Sequence, residues 1–146
     1  MSDLFSNQTE IPWLNSYEKS WKKIIQNKKV PHAIFISGNR GIGKRSFAAW
    51  IASQHLNITK KSKCCIYPFA IPSHADLKWI SPNEGKRDIG VNQIRQIIDD
   101  LTMSSYEGIG KVAVIEPANK MNISSANSLL KILEEPPGNT LIILIA

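Results

Sequence analysis

The stretch Phe35-Ile36-Ser37-Gly38-Asn39-Arg40-Gly41-Ile42-Gly43-Lys44-Arg45-Ser46 decides the fold. It closes an apolar run at 33–37, passes through a glycine-rich loop and opens a helical pattern at Lys44. Gly38, Gly43 and Lys44 match a phosphate-binding loop, in which Gly, four residues, Gly and Lys precede Ser or Thr. Backbone amides, a helix N-terminus and an ammonium together suit an anion. The final position departs from the pattern. It carries Arg45 where the hydroxyl that ligates magnesium belongs. Ser46 follows, but about 100° further round a helix, so it is a poor substitute. The candidate phosphate-contacting residues are Gly38, Asn39, Arg40, Gly41, Ile42, Gly43, Lys44, Arg45 and Ser46.

Outward from the loop, strands and helices alternate. Residues 13–28 carry Leu14, Tyr17, Trp21, Ile24, Ile25 and Lys28 at spacings of three and four, so one apolar stripe is expected on a helix. Pro12 suits the first turn of that helix. Residues 33–37 read as a buried strand. Residues 44–56 read as a helix, with Phe47, Trp50 and Ile51 inward. Residues 60–73 read as irregular, and 76–80 as a second strand. Val91, Ile94, Ile97, Ile98 and Leu101 stripe a helix over 91–103. A strand is expected at 111–116. A helix at 123–134 follows, capped by Asn122, with Ile123, Ala126, Leu130 and Leu133 on one face. Pro136 and Pro137 stop it, and 140–146 reads as another buried strand. This alternation predicts a three-layer α/β/α fold around a parallel sheet, of the kind built on phosphate loops.

The second candidate site is Val112-Ala113-Val114-Ile115-Glu116-Pro117. In phosphate-loop proteins an apolar strand ends in an Asp on the magnesium side. Glu116 stands at that place, one methylene longer, and Pro117 stands where a water-polarising Glu would follow. Glu116 is either a degenerate member of the nucleotide site or simply a polar strand end. Attack on a γ-phosphate needs neutralised charge and a positioned water. With hydroxyl and base both replaced, no catalytic residue is assigned, and hydrolysis by this chain alone is not expected. ATP or ADP held without ordinary magnesium ligation, and a loop that binds nothing, both remain open.

Composition narrows the partners. The 146 residues are enough for one domain with a core, and no apolar run is long enough to span a bilayer. The opening Met1-Ser2-Asp3-Leu4-Phe5 lacks a secretory layout, so a cytoplasmic protein is expected. The net charge of +6 gathers in Lys22, Lys23, Lys28 and Lys29 and in Lys60, Lys61 and Lys63. These runs are either solvated faces or contacts for a phosphate backbone. Cys64 and Cys65 are adjacent, which is poor disulfide geometry. With only His74 near them they fall short of a zinc site, so no metal is assigned.

The segment 125–137, Ser-Ala-Asn-Ser-Leu-Leu-Lys-Ile-Leu-Glu-Glu-Pro-Pro, resembles the signature of bacterial clamp-loader subunits of the AAA+ family. Glu116-Pro117-Ala118-Asn119-Lys120-Met121-Asn122 resembles the stretch that precedes it in the delta prime branch. Pro31-His32-Ala33 and Ile89-Gly90-Val91-Asn92-Gln93-Ile94-Arg95 also fit, so the likeness runs from about residue 10 onward. The gamma/tau motor branch keeps Lys followed by Ser or Thr, and Asp-Glu in the second motif; this chain has neither. The resemblance implies a non-hydrolysing subunit of the DNA polymerase III clamp loader. It would act in DNA replication with gamma/tau and delta subunits, helping to place a sliding clamp on primed DNA. The four-cysteine zinc module common in the family is reduced here to Cys64 and Cys65.

The resemblance also implies a sheet order of 5-1-4-3-2. The arginine finger, lid and collar would follow beyond Ala146, so the chain reads as the N-terminal part of a longer protein. Without strand five, 33–37 becomes an apolar edge, and self-association is expected. Two other functions compete: a gamma/tau-like motor or other phosphate-loop ATPase, and a nucleic-acid-binding module suggested by the charge. The second lacks the aromatic–basic interleaving that suits single strands.

Overall fold

The computed structural model describes residues 9–58 and 64–146. The expectations for Met1-Ser2-Asp3-Leu4-Phe5 and for Lys60, Lys61 and Lys63 lie outside the described residues. Four parallel strands form the main sheet: β2 (Ala33–Ile36), β4 (Leu77–Ile80), β5 (Lys111–Ile115) and β6 (Thr140–Ile145). Their order is β2-β6-β5-β4. Numbered by these four strands alone, that is 1-4-3-2, the order the resemblance implied.

Among the described residues, α1 (Asn15–Gln26), α2 (Lys44–His55), α3 (Val91–Thr102) and α4 (Ile123–Glu134) cover the sheet. Successive side chains of a strand point to opposite faces, and here both faces are apolar. Val112, Val114, Leu141, Ile143 and Ile145 pack with Trp21, Trp50 and Ile51 of α1 and α2. Ala113, Ile115 and Ile142 pack with Ile94, Ile97, Leu129 and Ile132 of α3 and α4. The central run Leu141-Ile142-Ile143 has no exposed surface. Each such side chain contributes roughly 1.5–3 kcal/mol by leaving water.

Three readings from periodicity need correction. Residues 60–73 are not wholly irregular: β3 (Ile66–Tyr67) pairs antiparallel with β1 (Thr9–Glu10) in a separate small sheet. Both strands have two residues, too short to show any alternation. On α4 the inward face is Ser125, Leu129 and Ile132, while Ile123 and Leu130 are exposed. The inward turn is set by Ser125, whose hydroxyl donates to the Ile89 carbonyl at 2.9 Å, and by Asn122, which caps the Ser125 amide at 2.8 Å. On α1, Tyr17 is exposed and only leans edge-on against Phe47, whereas Glu18 is buried. Glu18 accepts the backbone N–H of Cys65 at 2.7 Å, so a polar anchor takes a core position. The edge strand β2 is only half-buried, and Phe35 stands out from it.

Asp76 just precedes β4 and is fully enclosed. It accepts the backbone N–H groups of Tyr106 (2.8 Å) and Glu107 (3.1 Å), which ties the loop after α3 to the start of the sheet. Burial acts against its charge, but the Tyr106 and Glu107 amides, with His74 and Lys111 nearby, hold the carboxyl below its ordinary range. A lowered folded value adds stability above the unfolded pKa that is lost as pH falls through the folded one. Asp76→Asn turns one acceptor into a donor facing an amide and should cost about 1–3 kcal/mol in denaturant unfolding at neutral pH. Its deficit should shrink in acid, below the ordinary value of 3.8. An equal deficit at pH 7 and pH 3 would remove the ionic account.

Candidate functional site

The parallel ladder brings several chain segments to one end of the sheet. Ile36 is level with Ile145, and Ile115 with Leu144 and Ile80. The residues just beyond these positions are therefore neighbours: the loop after β2, Glu116 after β5 and Ala146 after β6. Ligands of open α/β sheets bind at this carboxyl end.

Between β2 and α2 the loop turns on glycine. Gly43 has φ 95°, in the left-handed region, and an added Cβ would lie 3.2 Å from Ile11 Cδ1 and 3.3 Å from Leu14 Cδ1. The turn at Pro12–Leu14 thus packs directly on the loop. Gly38 has φ 155°, and a Cβ there would meet Ile42 Cδ1 at 2.5 Å. Trp13 adds a polar tie, its indole N–H donating to the Ile42 carbonyl at 2.8 Å. Lys44 opens α2 and folds back, donating to the carbonyls of Gly38 (2.7 Å) and Ala146 (2.8 Å). The Gly38 carbonyl is neutral, so that contact leaves the charge of the ammonium uncompensated.

These elements enclose a cavity of about 1070 Å³. That is ample for a nucleotide-sized ligand. Of the residues expected from the sequence, Arg40, Gly41, Gly43, Lys44, Arg45, Ser46 and Glu116 line it. Gly38, Asn39 and Ile42 do not; Gly38 and Ile42 act through their carbonyls, on Lys44 and Trp13. Another part of the lining was not anticipated. It comes from Glu10, Trp13, Tyr67 and Phe69, carried by the small sheet and the turn beside it. Two signals pointed there: Trp13 beside Pro12, and the aromatic pair flanking Pro68.

Arg45 and Glu116 form an ion pair through Arg45 Nε and Glu116 Oε1. The other carboxylate oxygen accepts the indole N–H of Trp79 at 3.1 Å. Phe69 stacks on Trp79 with centroids 5.9 Å apart, and the Arg45 guanidinium lies 5.9 Å from the Phe69 ring. Glu116 is nearly buried while Arg45 is 60% exposed. Glu116 is thus a held side chain within the cavity wall, not merely a polar strand end. Trp79 had read only as a strand residue, and nothing in the sequence marked its indole for Glu116.

Phosphate-loop proteins of this type imply a magnesium ion, and the residues here do not fit one. Magnesium demands octahedral oxygen ligands and binds through carboxylates and hydroxyls. Arg45 occupies the hydroxyl position, and Glu116 is already paired to a guanidinium. A cation about 4 Å from that guanidinium would be repelled by about 4 kcal/mol per unit of charge at an effective dielectric near 20.

Cys64 and Cys65 are free thiols. Burial, then the Glu18 carboxylate, push the Cys65 thiol well above its usual range, so it is a poor thiolate ligand. No cluster of three or more His, Cys, Asp or Glu suited to a metal occurs among the described residues. No helix among them is long and apolar enough to cross a membrane.

Residues 13–146 match the family described as DNA polymerase III, delta subunit. Among curated relatives, DNA polymerase III subunit delta' of Pseudomonas aeruginosa is 33% identical over 142 residues, covering 92% of this chain and 42% of that protein. The gamma subunit of Buchnera aphidicola is 33% identical, over 82% of this chain and 37% of its own length. A DNA polymerase III gamma subunit-related protein from Thermotoga maritima has a crystal structure that superposes with a TM-score of 0.67 at 27% identity, covering 88% of this chain and 38% of that one. The chain spans about two fifths of the length of these relatives. On a match over nearly its whole length, and with the parallel α/β fold shared with that solved structure, the chain belongs to the DNA polymerase III delta subunit family.

Proposed function

We propose that this protein is a non-hydrolysing, delta prime-type subunit of the bacterial clamp loader, helping to place a sliding clamp on primed DNA. The observation that carries this reading is the Arg45–Glu116 ion pair. It stands where a phosphate-loop hydrolase needs a hydroxyl and an acid around magnesium. Pro117 follows Glu116, so the place of a water-polarising carboxylate is held by a residue with no base. Delta', tau and gamma relatives all lie near 30% identity, so identity alone does not separate stationary from motor subunits. The substituted residues favour the stationary one. In this reading residues 1–146 form one AAA+ nucleotide-binding-type domain with a degenerate phosphate loop, in a cytoplasmic protein. Its partners are gamma/tau and delta subunits, with the clamp and primed DNA reached through the assembly.

The test is a loader reconstituted from the full-length protein with its partner subunits. Lys44→Ala should leave clamp loading and ATP turnover within about twofold of the parent, because turnover resides in the motor subunits. The chain alone, with magnesium and ATP, should show no turnover above background. Magnesium-dependent turnover abolished by Lys44→Ala would assign the motor role instead.

The sheet edge yields a second expectation. Among the described residues no strand pairs with the outer edge of β2, where Phe35 is 61% exposed. Open apolar edges recruit another chain. The 146-residue chain should self-associate at high concentration in light scattering, and Phe35→Lys should shift it toward monomer. A strictly monomeric parent would refute this.

A further inference from the structure

We infer that the Arg45–Glu116 pair is a built-in replacement for the divalent ion, and that the cavity takes a nucleoside di- or triphosphate as its metal-free anion. The inference rests on reading the chain as a non-hydrolysing subunit with a degenerate phosphate loop.

The first support is the fixed position of the cation. Arg45 is held on one edge by Glu116 through Nε and lies beside the Phe69 ring. A guanidinium has five donors in a rigid fork. Pinned along its Nε edge, it keeps its terminal nitrogens for a second anion, and bidentate capture of phosphate is the use its geometry favours. Glu116 cannot swing away freely, because the Trp79 indole holds its other oxygen.

The second support is the charge of the wall. Arg40, Lys44 and Arg45 line the cavity together with Glu10 and Glu116. With Arg45 and Glu116 compensating each other, the positive charge left beside the amides of the α2 N-terminus suits a phosphate chain. A magnesium complex of the same nucleotide brings two positive charges toward Arg45 and masks the oxygens that Arg45 and Lys44 would bind. Metal should therefore weaken binding, the reverse of its usual effect at such loops.

The third support is the remainder of the cavity. At about 1070 Å³, with Trp13 and Tyr67 in its lining, it has room for a base and sugar beyond the phosphates. Exposed aromatic faces offer stacking to any purine or pyrimidine.

Calorimetry with ADP and ATP, in EDTA and in excess magnesium, tests the inference on the full-length protein and three variants. The parent should bind about tenfold or more tightly in EDTA than in magnesium. Lys44→Ala should lose about tenfold in both. Arg45→Ser, at a largely exposed side chain, should abolish the preference for metal-free ligand. Glu116→Gln removes an anion from the wall and should tighten binding several-fold while keeping that preference. Tighter binding with magnesium, or a preference that survives Arg45→Ser, overturns the inference. Absence of binding in both conditions also overturns it, yet leaves the loader assignment intact. Magnesium-dependent binding accompanied by turnover overturns both.

Discussion

The hydrogen-bonded register of β5 and β6 is the constraint from which the rest of the molecule follows. Lys111 to Ile115 run beside Thr140 to Leu144 without a break, and every one of these residues but Leu144 is buried. Being central, parallel and covered on both faces, the pair must be apolar throughout. Polar residues can appear only where these strands end. Glu116 and Ala146 are the first residues past that limit, and β2 adds its loop at the same level. The site lies there because the ladder leaves nowhere else for it.

From this constraint the roles of distant segments become connected. The N-terminal turn supplies Ile11 and Leu14 to the core and Trp13 to the cavity. It packs closely on the loop at Gly43, whose φ of 95° favours glycine. β1 and β3, a separate small sheet, bring Glu10 and Tyr67 to the cavity lining. Buried Glu18 completes the arrangement by fastening α1 to the Cys65 amide beside β3. A buried carboxylate in this place adds a directional tie between segments that also share the core. The cavity wall is therefore built in part from segments outside the central fold.

How much could be read in advance follows from the range of each interaction. The loop, the strands and the helices over 91–103 and 123–134 were legible because period, glycine and proline are local signals. The likeness of 125–137 to a known signature supplied the strand order, which no local signal contains. The inward face of α4 was misread because two hydrogen bonds from Ser125 outweigh the apolar Ile123 and Leu130, and hydropathy does not register a satisfied buried hydroxyl. β1 and β3 were missed because two-residue strands have no period. At the site, Arg45 and Glu116 were each marked as departures from a pattern. Their pairing, across 71 residues of sequence, was not legible from either alone. Trp79 carried no signal for the site, since an aromatic residue in a strand reads as core.

The pairing changes what the two departures mean together. Read separately, a lost hydroxyl and a lengthened acid are two defects in a metal site. Read as a pair, each answers the other. Glu116 left unpaired in a nearly buried wall would carry a desolvation cost, and Arg45 supplies the compensating charge. The extra methylene of Glu lengthens the reach from the strand end toward α2, where Arg45 begins. Trp79 then holds the remaining oxygen, so the carboxylate is oriented from both sides. A metal ion is exchangeable, and its departure leaves a site that can refill. An ion pair within one chain has no such exchange. On the proposed reading, this is the chemical difference between a motor subunit, whose nucleotide site must cycle, and a stationary one, whose site keeps a constant charge.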